Sequence, residues 1–232
     1  MINHHPDANM LVEYANGSLP WALCISVAAH LQLCPKCRAQ YSQLCSLGGA
    51  YLSEAESEPV EDDSFSRLMG RIDANDASAN AFALDLSDDP ESAKEASSPA
   101  RELPSKHLPK VIKKLVTDEL RWRKIAGPLK AARLATGQDD YEVSFHRIAK
   151  GGKVVEHDHK GIEVTLVLEG SFSDKDGVYR RGDFLVREPG QIHRPTATLD
   201  QDCLCFSVCE APVAVTGWLG KVVNPFLSIH PS

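Results

Sequence analysis

Two groups of residues in this chain have the types and the spacing of metal ligands. The first group is His30-x3-Cys34-x2-Cys37. It mixes thiolate with imidazole, a combination that favours a closed zinc site. The second group lies in the pattern Gly151-x5-His157-x-His159-x3-Glu163-x6-Gly170. Its imidazole and carboxylate ligands suit zinc, manganese, iron or nickel. Two sites of different chemistry indicate one module that holds a partner and another that decides when to release it.

Helical patterns surround the first group and predict a small bundle. A one-sided apolar stripe predicts a first helix over residues 7–16 that ends at Gly17, and Ser18 is expected to cap a second helix running to about Leu31. From Pro35 onward, apolar residues at helical spacing predict a third helix: Cys37, Tyr41, Leu44, Cys45, Gly48, Tyr51 and Leu52. A short fourth helix is predicted from another one-sided pattern: Phe65, Leu68, Met69 and Ile72.

The spacing of the first group brings its members together at one helix corner. If Cys34 caps the third helix, Cys37 lies about one turn further on, and His30 lies one turn back at the end of the second helix. Tetrahedral zinc needs a fourth ligand. His5 is the best candidate, because the first helix would have to pack back onto this corner, and His4 is the alternative. Zinc would then hold together short helices that cannot build a core alone. The alternative is that the His and Cys residues of this group are ordinary buried residues without a metal.

From Tyr141 onward the pattern changes to short β-type runs separated by glycine-rich turns, which predicts a sandwich or barrel. The clearest runs are residues 143–148, 164–168, 184–186 and 204–208. The segment from Gly151 to Gly170 resembles the first motif of cupin barrels at every defined position. On an extended chain His157, His159 and Glu163 share parity, so all three can point into one face of the barrel.

The fourth ligand of the second site is expected at His193. Gly182 and the run Pro189-Gly190-Gln191-Ile192-His193 resemble the second cupin motif. The proline comes one place late, and Ala197 stands where the family often has Asn. With His193 included, three imidazoles and one carboxylate form a mononuclear metal site. The alternative is a barrel that keeps the motif without binding metal.

The remaining cysteines offer weaker signals. Cys203 and Cys205 lie two residues apart on a predicted strand and face the same way. They are interpreted either as an oxidation-sensitive pair near the cupin site or as two small buried hydrophobic residues. Three further cysteines have no partner pattern and are expected in the core: Cys24, Cys45 and Cys209.

Charge and hydropathy limit the classes of partner and compartment. With 25 basic and 32 acidic residues the net charge is −7, which argues against direct DNA binding, since duplex recognition usually needs a basic face. No basic region followed by an apolar core begins the chain, and the apolar run 21–29 is too short to span a bilayer. A cytoplasmic protein without a membrane partner is predicted, with its seven cysteines reduced or bound to metal.

Composition divides the chain into three parts. Residues 76–104 are dominated by Ala, Ser, Asp, Glu and Pro, which predicts a flexible linker. Residues 1–75 are predicted as a zinc-containing helical domain, and residues 105–232 as a cupin-like β-barrel domain. The predicted fold class is therefore α+β and multidomain, with a small zinc-stabilised helical bundle followed by a β-barrel of cupin type.

The first group also supports a family resemblance. A helix with its own His, followed by His30-x3-Cys34-Pro35-Lys36-Cys37-Arg38, resembles the zinc-containing anti-sigma domain of bacterial ECF sigma regulators. With the second motif included, nearly the whole chain resembles zinc anti-sigma factors of the ChrR type. The resemblance implies about four helices that grip an ECF sigma factor in a 1:1 complex and block its access to core RNA polymerase. It further implies a cupin domain needed for release in response to singlet oxygen or oxidative stress, and no enzymatic activity.

Two other functions compete with this interpretation. One is a metal-dependent cupin enzyme, such as a dioxygenase, with an appended zinc domain, because the same ligand set occurs in cupin enzymes. An oxygenase, however, has no need of the N-terminal anti-sigma motif. The other is a zinc-finger DNA binder with a ligand-sensing barrel. The acidic early region and the lack of an Arg-rich recognition helix count against it.

Overall fold

A computed structural model of the chain describes residues 1–57, 59, 61–76, 104–117, 119–138, 140–210 and 213–215. Within these residues the helices are α1 (Ala8–Asn16), α2 (Trp21–Leu33), α3 (Pro35–Glu54), α4 (Ser64–Asp76) and α5 (Lys110–Leu115). The strands are β1 (Arg123–Ala126), β2 (Leu129–Arg133), β3 (Glu142–Ile148), β4 (His157–His159), β5 (Glu163–Glu169), β6 (Ser171–Ser173), β7 (Val178–Arg180), β8 (Phe184–Arg187), β9 (Thr196–Ala197), β10 (Cys203–Cys209) and β11 (Val213–Val215). The predicted fold class of N-terminal helices and a cupin-type β-domain is confirmed.

The contacts divide the chain into two compact units. One unit comprises Met1–Ser46 together with Arg101–Ser232, and the other comprises Leu47–Ala100. Most of the predicted linker 76–104 lies outside the described residues, so the domain boundaries at 75 and 105 stay predictions. No helix within the described ranges is both long and apolar enough to span a membrane.

Local capping explains where the first helices begin and end. Asp7 accepts a hydrogen bond from the backbone N–H of Met10 (2.7 Å) at the start of α1, and Gly17 ends the helix in the left-handed region. Ser18 does not cap α2 as expected. Its backbone N–H and its hydroxyl bond the side chain of Asn16, and α2 begins after Pro20 without a side-chain cap.

The corner between α2 and α3 follows the predicted pattern. The backbone N–H of Cys34 donates to the carbonyl of His30 (2.8 Å), and the carbonyl of Cys34 accepts from Arg38 (3.1 Å). Cys34 thus closes α2 and opens α3, and Pro35, whose missing N–H has no helical partner to lose, is the first residue of α3. The helix continues through Gly48 and Gly49 without a break.

Among the residues that the structure describes, strands β1–β11 form three antiparallel sheets, which together we call the β-domain. A six-stranded sheet has the order β1-β2-β3-β10-β5-β8, a three-stranded sheet the order β7-β6-β9, and β4 pairs with β11. The four strands predicted from sequence are all present, each extended by one or two residues. An isolated antiparallel bridge pairs His157 with His193.

Side chains of the six-stranded sheet alternate between two cores, as the strand period requires. One face packs against the helices through Phe145, Leu166 and Phe206. The opposite face lines the interior of the β-domain and includes Val167 and Cys205. Helix α2 is apolar on all sides, which is typical of a helix that is covered all round. It contacts α1 and α5 as well as strands β5 and β10.

Candidate metal centres

Four predicted ligands converge at the N-terminal helix corner. His30 comes from the last turn of α2, Cys34 from the α2–α3 junction, Cys37 from the first turn of α3, and His5 from the segment that precedes α1. One ligand atom from each of the four lies within 4.8 Å of the others. His30, Cys34 and Cys37 are buried, and His5 is half-buried. We call these four residues the thiolate cluster.

The distances in the thiolate cluster fit a tetrahedral ion. His5 Nδ1 lies 3.3 Å from Cys37 Sγ, 3.5 Å from Cys34 Sγ and 3.5 Å from His30 Nε2. Tetrahedral zinc with ordinary Zn–N and Zn–S bonds places its ligand atoms about 3.3 to 3.8 Å apart. Two thiolates also balance the charge of a divalent cation, so the donor set suits a buried, closed site.

The two N-terminal histidines point in different directions. His5 points its Nδ1 into the thiolate cluster. The imidazole of His4 turns away, with Nδ1 3.6 Å from the carboxylate of Asp183 and the ring edge against Tyr179. The structure therefore brings His5, rather than His4, to the other three ligands.

Burial favours the uncharged forms of His30 and Cys37 in the thiolate cluster. It lowers the pKa of His30 to about 4, although the hydrogen bond to the carbonyl of Gly182 acts in the opposite direction. Burial, together with the neighbouring Cys34, raises the pKa of Cys37 to about 12. Neutral imidazole is the form that binds metal, whereas a thiol must first lose its proton. Metal binding here should therefore release protons from the cysteines.

Three histidines and a glutamate converge in the β-domain. His157 and His193 lie directly opposite each other, since the backbone N–H of each donates to the carbonyl of the other (3.1 Å). His159 ends β4, and Glu163 begins β5. All four offer a ligand atom within 4.8 Å of the others. We call these residues the cupin cluster.

These residues were predicted from the sequence, but the predicted reason for their convergence was incomplete. Equal parity along one extended strand was expected to align His157, His159 and Glu163. A bend at residues 160–162 instead separates β4 from β5, and the two strands belong to different sheets. The three side chains meet because the chain turns between them.

The distances in the cupin cluster fit a metal held by nitrogen ligands nearly at right angles. His193 Nε2 lies 3.0 Å from His157 Nε2 and 3.1 Å from His159 Nε2. Metal–nitrogen bonds of about 2.1 Å at right angles place the nitrogen atoms about 3.0 Å apart. Glu163 Oε2 lies 3.3 Å from His159 Nδ1, the ring nitrogen that does not face His193. The donor set is the nitrogen–oxygen type that accepts zinc, manganese, iron or nickel.

Outer partners orient the cupin ligands, and the sequence did not reveal them. His157 Nδ1–H donates to the carbonyl of Val155 (2.8 Å), which leaves Nε2 free to bind metal. His193 Nδ1 lies 3.3 Å from the buried carboxylate of Asp174. Asp174 also accepts hydrogen bonds from Arg187 (2.8 Å) and Tyr179 (3.0 Å). Asp174, Tyr179 and Arg187 come from the β6–β7 turn, β7 and β8, and none of them is a residue that defines either motif.

Glu163 is held as a carboxylate inside the β-domain. Burial alone would raise its pKa, but the surrounding imidazoles lower it to about 2, and these belong to His159, His146, His157 and His193. The hydroxyl of Ser207 donates to Glu163 Oε1 (2.8 Å). His146 belongs to neither motif, yet it shares the interior face of β3 with Ser144 (3.1 Å) and lies close enough to affect Glu163.

The other cysteines have different surroundings. Cys203 and Cys205 face the same way, with their sulfurs 3.7 Å apart in the buried interior. The hydrogen bond between the Cys205 thiol and Cys203, together with burial, raises the pKa of Cys205 well above its ordinary value, so Cys205 remains a thiol. Cys45 is exposed, so its expected place in the core was wrong. Cys209 lies beside the cupin cluster, 3.6 Å from Glu163.

Comparisons with known proteins extend over both modules. The family described as the ChrR cupin-like domain matches residues 113–213. The chain is 31% identical over 229 residues to the anti-sigma-E factor ChrR of Cereibacter sphaeroides, an alignment that covers 98% of this chain and 99% of that protein. It is also similar to the crystal structure of Rhodobacter sphaeroides SigE in complex with the anti-sigma ChrR, with a TM-score of 0.71 and 27% identity, over 90% of this chain and 100% of that chain.

Proposed function

The chain belongs to the ChrR family of anti-sigma factors, and on that premise we propose that it binds and inhibits an ECF-type sigma factor through its N-terminal helical module. The family consists of regulatory proteins rather than enzymes, which argues against the alternative of a cupin oxygenase. The proposed complex contains one copy of each partner and blocks the sigma factor's access to core RNA polymerase. Direct DNA binding and a membrane partner are not part of the proposal.

The exposed apolar stripe on α4 carries this proposal. Phe65, Leu68, Met69 and Ile72 recur at positions i, i+3, i+4 and i+7, and their exposed fractions are 72%, 52%, 40% and 44%. Leu47, Tyr51 and Leu52 add exposed apolar surface at the end of α3. A helix face of this kind is unfavourable in water and is typical of a surface that docks into a partner's groove. The solved relative was crystallised with a sigma factor, which makes a sigma factor the expected occupant.

We further propose that the thiolate cluster holds zinc. The support is its donor set of two cysteines and two histidines, its near-tetrahedral spacing and its burial. Bound zinc would supply structural stability here, because its four ligands tie the N-terminal segment to the α2–α3 corner. The short helices that meet at this corner would then keep their geometry.

The cupin cluster is proposed to hold zinc or another divalent metal, such as manganese, iron or nickel. It is further proposed to be needed for release of the sigma factor in response to singlet oxygen or oxidative stress. The ligand set supports a metal without selecting one. The packing of α2 against β5 and β10 supports a role in release, because both modules share one hydrophobic core. A change at the cupin cluster can affect the partner only by stabilising one state of the complex over another.

Co-purification tests the proposal, with two substitutions on α4. The chain is co-expressed with the ECF sigma factor encoded beside it, and the captured complex is analysed for stoichiometry and metal content. Phe65→Asp places a charge in the apolar stripe and should weaken capture at least about 100-fold, as expected for a central apolar contact. Ser66→Asp adds the same charge one residue away, outside the stripe, and should leave capture unchanged. Equal capture of wild type and Phe65→Asp would contradict the proposed surface.

A further inference from the structure

A turn of the β-domain contacts the segment that carries His5. This turn, residues 180–184, joins β7 to β8, and we call it the β7–β8 turn. Asp183 lies in it with only 1% of its side chain exposed. One carboxylate oxygen accepts the backbone N–H groups of Asn3 (2.7 Å) and His4 (3.0 Å), and the other accepts the N–H of Arg180 (2.8 Å). A single buried carboxylate thus ties the N-terminal segment to the turn.

The same turn also bonds the backbone carbonyl of His4. The backbone N–H of Phe184 donates to the carbonyl of His4 (3.1 Å), so both backbone groups of His4 are bonded to the turn. His5 follows directly in the chain. With its neighbour held at both ends, the direction from which His5 enters the thiolate cluster is determined by the β-domain.

A second ligand of the thiolate cluster is oriented by the same turn. His30 Nδ1 lies 2.9 Å from the carbonyl oxygen of Gly182. Because a carbonyl only accepts, Nδ1 must carry the proton, and Nε2 is then left to face His5 and the metal position. Gly182 has φ +92°, and a Cβ there would lie 2.5 Å from the side chain of Ile2. Glycine therefore permits both the turn and the close approach of the N-terminal segment.

The charge of Asp183 is stable in this position. Burial alone would raise its pKa, but the backbone donors of Arg180, Asn3 and His4, and the nearby imidazole of His4, lower it below the ordinary value. The carboxylate therefore stays ionised, and its hydrogen bonds to the backbone are of the stronger, charge-assisted kind.

We propose that the β7–β8 turn positions His5 and His30 in the thiolate cluster, so that the metal affinity of the helical module depends on the β-domain. The inference rests on the proposal that this cluster binds metal, and it is independent of sigma-factor binding. Losing an outer partner of a metal ligand typically weakens metal binding about 10- to 100-fold. Asp183 and Gly182 are positioning residues that act through the ligands and do not touch the metal position.

Cobalt substitution in the full-length protein tests this dependence. Co²⁺ bound by thiolates gives a sulfur-to-cobalt charge-transfer band, so this band reports the thiolate cluster and is silent for the cupin cluster, whose ligands are nitrogen and oxygen. Asp183→Asn keeps the size of the side chain and removes its charge. Competition with a chelator should show the band lost at a chelator concentration about 10- to 100-fold lower than in wild type.

A matched variant separates positioning from a general loss of folding. Asp174 is equally buried, with 0% of its side chain exposed, but it contacts His193 of the cupin cluster. Asp174→Asn should weaken metal retention by the cupin cluster, measured as metal content after dialysis, and should shift the thiolate–cobalt competition curve far less than Asp183→Asn does. An equal effect of both substitutions on that curve would contradict positioning by Asp183.

A third variant tests the contact from the other side without altering the β-domain. Asn3→Pro removes one of the N–H donors to Asp183. It should weaken the thiolate cluster, and its effect should be less than additive with that of Asp183→Asn. An unchanged competition curve in Asp183→Asn would overturn the inference. The absence of any thiolate–cobalt band in wild type would instead contradict the proposed metal site itself.

Discussion

Three of the imidazoles that are expected to bind metal through Nε2 have a defined partner on Nδ1. His30 is paired with the carbonyl of Gly182, His157 with the carbonyl of Val155, and His193 with the carboxylate of Asp174. Such pairs set the tautomer before a metal arrives. At the scale of single residues, the two clusters therefore have ligands that are oriented in advance.

The cysteines of the thiolate cluster give a prediction at this scale. Cys34→Ser removes a soft ligand that hydroxyl replaces poorly, so the cluster should bind metal more than about 100-fold more weakly, beyond the loss expected for an outer partner. Metal content and the thermal unfolding temperature are measured together with sigma-factor capture, and all three should fall. Cys45→Ser, an exposed cysteine of the same helix α3, is the control and should change none of them. Normal capture by metal-free Cys34→Ser protein would show that the metal is not structural.

Helix α2 joins the two clusters at the scale of elements. Its last turn supplies His30, and its apolar sides pack against α5, β5 and β10. The module that is expected to hold the sigma factor thus includes a helix that packs directly against β5 and β10. A helix with apolar residues all round needs such cover to be stable in water.

Truncation of a buried side chain on α2 should show this dependence. Ile25 is 4% exposed, and Ile25→Ala should lower the free energy of unfolding by about 2 to 5 kcal/mol, because methyl groups are removed and a cavity remains. Urea denaturation measures the change. Val12→Ala, at a position on α1 that is 44% exposed, should stay within about 0.5 kcal/mol of wild type. A similar small change for Ile25→Ala would mean that α2 is not part of the shared core.

The ligands around the α2–α3 corner could be predicted from sequence, because helical spacing alone brings them together. The corner of Cys34, Pro35 and Cys37 is the clearest case. Contacts between elements distant in the chain carried no such signal. Asp183 meets Asn3 across 180 positions, and its role depends on how the β-domain packs against the helices. His146 was likewise missed, because it belongs to no motif and gains its place only when β3 joins the sheet.

Strand β8 connects both clusters at the scale of the whole molecule. Its first residue, Phe184, bonds the N-terminal segment, and its last, Arg187, bonds Asp174, which faces His193. Because β8 has one end at each site, it offers a physical route by which loss of the cupin metal would alter the helical module. Such coupling requires that both sites favour the same one of two arrangements of this strand and its neighbours. The family's pairing of an anti-sigma module with a cupin module then has a structural basis.

Transcription by the partner sigma factor, measured before and after photosensitised stress, tests the central claim most directly. The comparison is between wild type and a variant in which the cupin ligands are all replaced: His157, His159, Glu163 and His193. Both proteins should hold transcription low before stress, because the proposed sigma-binding surface and the thiolate cluster are intact. After stress, transcription should rise with wild type and stay low with the variant. Uninhibited transcription with unstressed wild type, or full induction with the variant, would contradict the account.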